Sequence, residues 1–92
     1  MSPLSAAEVA NRLTGVSGWQ VESGELTRTF AFKDFVAALA FVNKVGDLAE
    51  KAGHHPDIDI RYNKVRLAVV THDAGGLTAK DFDLAAAVNK SA

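Results

Sequence analysis

Twice along this chain a short stretch of two-residue apolar alternation breaks at a turn and resumes, and between the two stretches apolar residues recur at three- and four-residue intervals. Side chains alternate across a strand but recur about every 3.6 residues on a helix, so the change of period dictates hairpin, helix, hairpin. The first hairpin spans Trp19 to Glu22 and Glu25 to Phe32 around a Ser23-Gly24 turn, with Trp19, Val21, Phe30 and Phe32 as its core residues. In the second, Ile58, Ile60 and Tyr62 alternate with Asp57, Asp59 and Arg61, Asn63-Lys64 turns the chain, and Val65, Leu67 and Val69 lead up to His72. The intervening helix runs from about Lys33 to Ala52 on a face of Phe35, Leu39, Val42, Val45 and Ala49. Gly53 suits a left-handed helix end and Pro56 forbids continuation, so the helix is expected to stop just before His54. Two hairpins separated by one helix cannot make an all-parallel sheet. The expected fold is therefore α+β, a four-stranded antiparallel sheet with helices packed on one face.

Two capping boxes frame this core. Ser5 with Glu8 precedes Val9 and Leu13 and predicts a short N-terminal helix reaching about Gly15; Thr78 with Asp81 precedes Phe82, Ala85, Ala86 and Val88 and predicts a final helix. The order is β(2)-α-β(2)-α behind a short first helix. The 92 residues hold enough apolar side chain for one core, so residues 1–92 are read as a single domain. With no cysteine, the chain has no disulfide, thiolate metal site or cysteine nucleophile, which fits a reducing cytoplasm. A net charge of -1 gives no electrostatic reason to expect nucleic acid or a membrane as partner. The start, MSPLSAAEVANRL, has neither a basic flank nor a continuous apolar run, so neither a signal peptide nor an anchor is expected.

The three histidines, His54, His55 and His72, all fall between Glu50 and Asp81. Imidazole, with an unperturbed pKa of about 6.5, both gives and takes protons near neutrality, so their clustering points to proton transfer. Glu50 and His54 are four residues apart at a helix end, a spacing that predicts a carboxylate–imidazole pair. Pro56 holds His55 extended, so the adjacent rings point to different sides and have different tasks. His72 ends the fourth strand on the parity opposite Val65, Leu67 and Val69, and projects away from their face. A metal site is the sharper competitor, with three imidazoles and Asp81 as ligands. However, adjacent histidines lack the usual ligand spacing and no HExxH or cysteine pattern is present, so no metal and no other cofactor is expected. Gly75-Gly76 is not followed by a Gly-Lys-Ser/Thr sequence and reads as a hinge rather than a phosphate loop.

The order Glu50, His54-His55-Pro56, Tyr62, His72 and Asp81, with its fixed gaps, resembles the pattern of the pterin-4a-carbinolamine dehydratases. Tyr62-Asn63-Lys64-Val65, Thr71-His72-Asp73, Gly18-Trp19 and Phe32-Lys33-Asp34-Phe35 are similar to that family too, so the likeness covers nearly the whole chain. Gly53 and Ile58 occupy variable places beside the motif. The resemblance implies dehydration of a 4a-hydroxytetrahydropterin to the quinonoid dihydropterin without metal or redox cofactor. It implies that His54 and His72 transfer protons, that Glu50 sets the imidazole charge and that Asp81 supports His72. By the same resemblance His55, Gly53, Pro56, Thr71, Asp73 and Trp19 bind the substrate, with backbone near Gly53 and Asp73 on the pterin's amide edge. It further implies a homo-dimer or homo-tetramer. The alternative it raises is a protein-binding module, a dimerisation cofactor of a transcription factor.

Overall fold

A computed structural model describes residues 2–92. The order is α1 (Ala6–Leu13), β1 (Gln20–Glu22), β2 (Glu25–Ala31), α2 (Phe35–Ala52), β3 (Asp57–Arg61), β4 (Lys64–Val69) and α3 (Ala79–Ser91), with a single 3₁₀ turn at His72–Ala74 before α3. The four strands form one antiparallel sheet in the order β1-β2-β4-β3. The α+β sheet-and-helix architecture expected from periodicity is what the chain adopts. The two hairpins join through β2 and β4, in a register that opposes Leu26 to Val69, Arg28 to Leu67 and Phe30 to Val65. These pairs put Leu26, Phe30, Val65, Leu67 and Val69 into one core with Ala38, Phe41 and Val45 of α2 and Phe82, Leu84, Ala85 and Val88 of α3. In β4 Val65 and Leu67 are buried while the alternate Lys64 and Arg66 stay exposed.

Three local expectations shift. The second turn is formed by Tyr62-Asn63, one residue early, because Arg61 pairs with Lys64; Tyr62 takes a left-handed φ of 52° and is 65% exposed. Val21 is exposed instead of core, since β1 is only three residues of edge strand, and Leu26 takes its place inside. The buried stripe of α2 is Ala38, Phe41, Val45 and Ala49, leaving Phe35, Val36 and Leu39 at 45%, 74% and 39% exposure. Phe41 decides that rotation: its ring lies 4.6 Å from Phe30 and 4.9 Å from Phe32, and such tilted aromatic pairs favour the helix face that carries it.

The helix ends are tightly specified. Ser5 and Thr78 each close a capping box, with Glu8 and Asp81 respectively, as expected. Asp34 caps α2 by accepting the Ala37 amide at 2.9 Å. At the far end Gly53 is left-handed, and the amides of Gly53 and His54 donate back to the carbonyls of Glu50 and Ala49. The chain before α1 also reaches the far side of the sheet connection: the Leu4 amide donates to the Leu77 carbonyl at 2.7 Å, and Pro3 lies against Gly76 so closely that a Cβ there would come within 2.9 Å of it.

Candidate active site

The Gly53 turn decides where the histidines go. Its left-handed φ of 62° takes the chain out of the helical screw, so the four-residue rule that pairs Glu50 with His54 no longer applies. His54 turns instead toward α3, and its Nε2 lies 2.5 Å from Asp81 Oδ1. Glu50 meets His55, Oε2 to Nε2 at 2.5 Å, on the surface, where the two side chains are 78% and 62% exposed. The expected partnerships are thus exchanged: Asp81 holds His54 rather than His72, and Glu50 holds His55 rather than His54.

Asp81 is fully buried, and a buried carboxylate must have all its acceptor positions met. Oδ1 receives His54; Oδ2 receives the Thr71 hydroxyl at 2.9 Å and the Thr78 amide at 2.8 Å. Thr71 has one hydroxyl proton and gives it to Asp81, so in its 2.8 Å contact with Thr78 the Thr78 hydroxyl is the donor. The same Thr78 oxygen accepts the Lys80 amide at 3.3 Å. Among the described residues no buried side-chain nitrogen or oxygen lacks a partner. A carboxylate only accepts, so the His54 ring carries its proton on Nε2 and turns Nδ1 away from Asp81.

His72 lies beyond β4, in the 3₁₀ turn, because the strand ends at Val69 and Thr71 bridges to Gly76 across a short loop. That loop brings it opposite the end of α2. Gly53, His54, His55, Thr71, His72 and Asp73 line one open cavity of about 300 Å³, at the small end of the roughly 300–1,000 Å³ usual for ligand pockets. Two of the predicted substrate-binding positions lie outside this lining. Pro56 is half-buried beside it. Trp19 is in the core, edge-on to Phe30 at 6.2 Å, with its indole N–H donating to Asn89 Oδ1 at 2.8 Å.

Lys80 completes the lining and was not singled out from the sequence. It sits in the first turn of α3, where the helix dipole disfavours a cation, and that misplacement is the signal the sequence offered. Among the described residues no three His, Asp or Glu side chains converge to hold a metal ion, and no helix is long and apolar enough to cross a membrane.

The arrangement places three imidazoles at the wall of one hollow. His54 is fixed by a buried carboxylate, His55 pairs with the exposed Glu50, and His72 is carried on a short exposed turn. The sequence matches the family described as pterin 4 alpha carbinolamine dehydratase over residues 2–91. It is 59% identical over 88 residues to a relative from Acidobacterium capsulatum, covering 96% of each chain, and 60% identical over 90 residues to one from Chloroflexus aurantiacus, covering 98% of this chain and 97% of that one. Both relatives carry the pterin-4-alpha-carbinolamine dehydratase name. The crystal structure of a transcriptional coactivator/pterin dehydratase from Brucella melitensis superposes with a TM-score of 0.92 at 34% identity, over 97% of both chains. With its fold, its histidine motif and its sequence all in agreement, this chain belongs to the pterin-4-alpha-carbinolamine dehydratase family.

Proposed function

We propose that this protein dehydrates a 4a-hydroxytetrahydropterin to the quinonoid dihydropterin in the cytoplasm, regenerating a reduced pterin cofactor, with His54 and His72 as the proton-transferring groups. The observation that carries this reading is that both rings border the same cavity although eighteen residues separate them (72 − 54). In the reaction the proton on ring nitrogen 5 passes to a base, the freed electron pair makes the single bond between nitrogen 5 and carbon 4a double, and the bond from carbon 4a to its hydroxyl breaks as that oxygen takes a proton and leaves as water. No electron is gained or lost overall, so an acid, a base and a held heterocycle suffice. Asp81 fixes the His54 tautomer and leaves Nδ1 as its exchanging atom. His55, oriented by Glu50, binds the pterin together with Thr71 and the backbone at Gly53 and Asp73.

The test is a stopped-flow dehydration assay on chemically prepared 4a-hydroxytetrahydropterin, with and without chelator. Acceleration that survives the chelator is expected. His54→Ala and His72→Ala are each expected to lower kcat by about 10² to 10⁴-fold, and His55→Ala to act chiefly on KM. Full turnover in both of the first two variants would overturn the assignment.

A second reading is a protein-binding role, as a dimerisation cofactor of a transcription factor or as a homo-oligomer. The exposed apolar face of Phe35, Val36 and Leu39 favours it, as does the description of the Brucella relative as a transcriptional coactivator. Sedimentation of Val36→Glu distinguishes the roles: loss of self-association with dehydration intact would assign that face to assembly and the histidines to catalysis.

A further inference from the structure

His72 borders two spaces. On one side is the cavity it shares with His54; on the other is a hollow of about 400 Å³ between the Ser23-Gly24 turn and Gly75-Gly76, whose lining holds one acid, Glu25, and one base, His72. Backbone pairing brings the two there. Ser23 and Gly24, with φ of 51° and 79°, make a two-residue hairpin turn that delivers Glu25 as the first residue of β2. Leu26 pairs with Val69, so Glu25 comes beside Val70, two residues before His72, and the Thr71–Gly76 bridge folds the far arm of the loop onto the same space.

Glu25 is left electrically unbalanced. Pairing with β1 sets it opposite Glu22, and like charges directly opposite on paired strands repel. Glu22 is relieved by Arg66 and Thr27. Among the described residues the ion pairs join His54 to Asp81, His55 to Glu50, Arg61 to Asp59 and Arg66 to Glu22, and none reaches the half-buried Glu25. His72 has the converse lack, because the exchange of partners gives a carboxylate to each of the other two imidazoles and none to it. In the first cavity it faces His54, His55, Asp73 and Lys80, where the Asp73 carboxylate and the Lys80 ammonium oppose each other in sign. In the second hollow Glu25 is the charged group it meets, not in direct contact but across a space with room for water at about 30 Å³ per molecule. We propose that Glu25 is a positioning residue for His72: across this hollow its charge favours the protonated imidazole and sets the pH at which that ring exchanges its proton. The proposal rests on the proton-transfer role given to His72 above and adds the group that tunes it.

The test follows the His72 ring proton by NMR across pH, identified by its loss in His72→Ala, in the intact protein, in Glu25→Gln and in Glu25→Asp, with kcat for dehydration measured over the same range. Removing an opposite charge disfavours the protonated ring, so Glu25→Gln is expected to lower the His72 midpoint by roughly half a pH unit, the scale of a charge acting across a hydrated gap. One limb of the kcat profile moves down with it while the His54 midpoint stays, and Glu25→Asp, which keeps the charge, retains most of the intact value. In about 1 M salt the difference between the intact protein and Glu25→Gln disappears, because screening acts on charge and not on packing. Glu25→Ser gives the same readout if Glu25→Gln does not fold. A His72 midpoint unmoved by loss of the carboxylate, or a difference that persists in high salt, overturns the inference and leaves the dehydratase reading standing. Full turnover of His72→Ala overturns the role of His72 and with it the task of Glu25.

Discussion

At the scale of single residues, Asp81 is the side chain with the most obligations. It accepts from an imidazole, a hydroxyl and an amide while fully buried. In Asp81→Asn the amide nitrogen must face either His54 or the Thr71–Thr78 pair, setting donor against donor on one side. We expect a loss of about 1–3 kcal/mol in urea denaturation, together with a fall in kcat as the His54 tautomer is released. Glu50→Gln touches an exposed pair and is expected to change stability by less than about 1 kcal/mol. Glu22 provides the pH test. Hydrogen bonds from Arg66 and then Thr27 hold its carboxyl below the usual value against the opposing effect of desolvation, with the Arg66 charge adding a lesser contribution. Because the folded value is depressed, the stabilisation is present above the unfolded value and is lost as pH falls through the folded one. Acid denaturation of Glu22→Gln is accordingly expected to fall less steeply below about pH 4.3 than that of the unsubstituted protein. The exchange of carboxylate partners shows where sequence spacing fails: the rule that joins Glu50 to His54 assumes a continuous helix, and Gly53 interrupts it one residue too soon.

At the scale of elements, α2 is the informative case. Its ends were legible because Gly53 and Pro56 act locally, but its buried face was not. From Phe35 to Val42 every residue is apolar, so two overlapping stripes satisfy the helical period and only the position of Phe30 and Phe32 on the sheet selects between them. The same helix holds two glycines with opposite expectations. Gly46 lies mid-helix, where a Cβ would meet no atom within 4 Å, so Gly46→Ala is expected to raise stability by roughly 0.5–1 kcal/mol. Gly53 has equally open space but a left-handed backbone, so Gly53→Ala is expected to cost about 1–2 kcal/mol and to raise KM by shifting the two histidines that follow. Thermal or urea unfolding of the pair separates lost space from backbone strain, since space is the same at both sites.

At the scale of the whole molecule, the fold class was readable because alternation and helical period are properties of each segment alone. The strand order was not, since joining the hairpins through β2 and β4 depends on contacts between Leu26, Phe30, Val65 and Val69 that no local pattern encodes. For the same reason the placing of His54 and His72 on one cavity is a product of tertiary packing, and a fault in the sheet should reach the proposed chemistry. Leu67→Ala, at a completely buried site in the central strand pair, is expected to cost about 2–5 kcal/mol, a large share of the roughly 5–15 kcal/mol total of an ordinary domain. A lowered urea midpoint is the measurement that checks it. The contact of Pro3 and Leu4 with Gly76 and Leu77 carries a further consequence. The opening residues clamp the outgoing arm of the loop that carries His72, so trimming them, or straining them with a bulky fusion, would slacken the proposed proton-transfer group from the opposite end of the polypeptide.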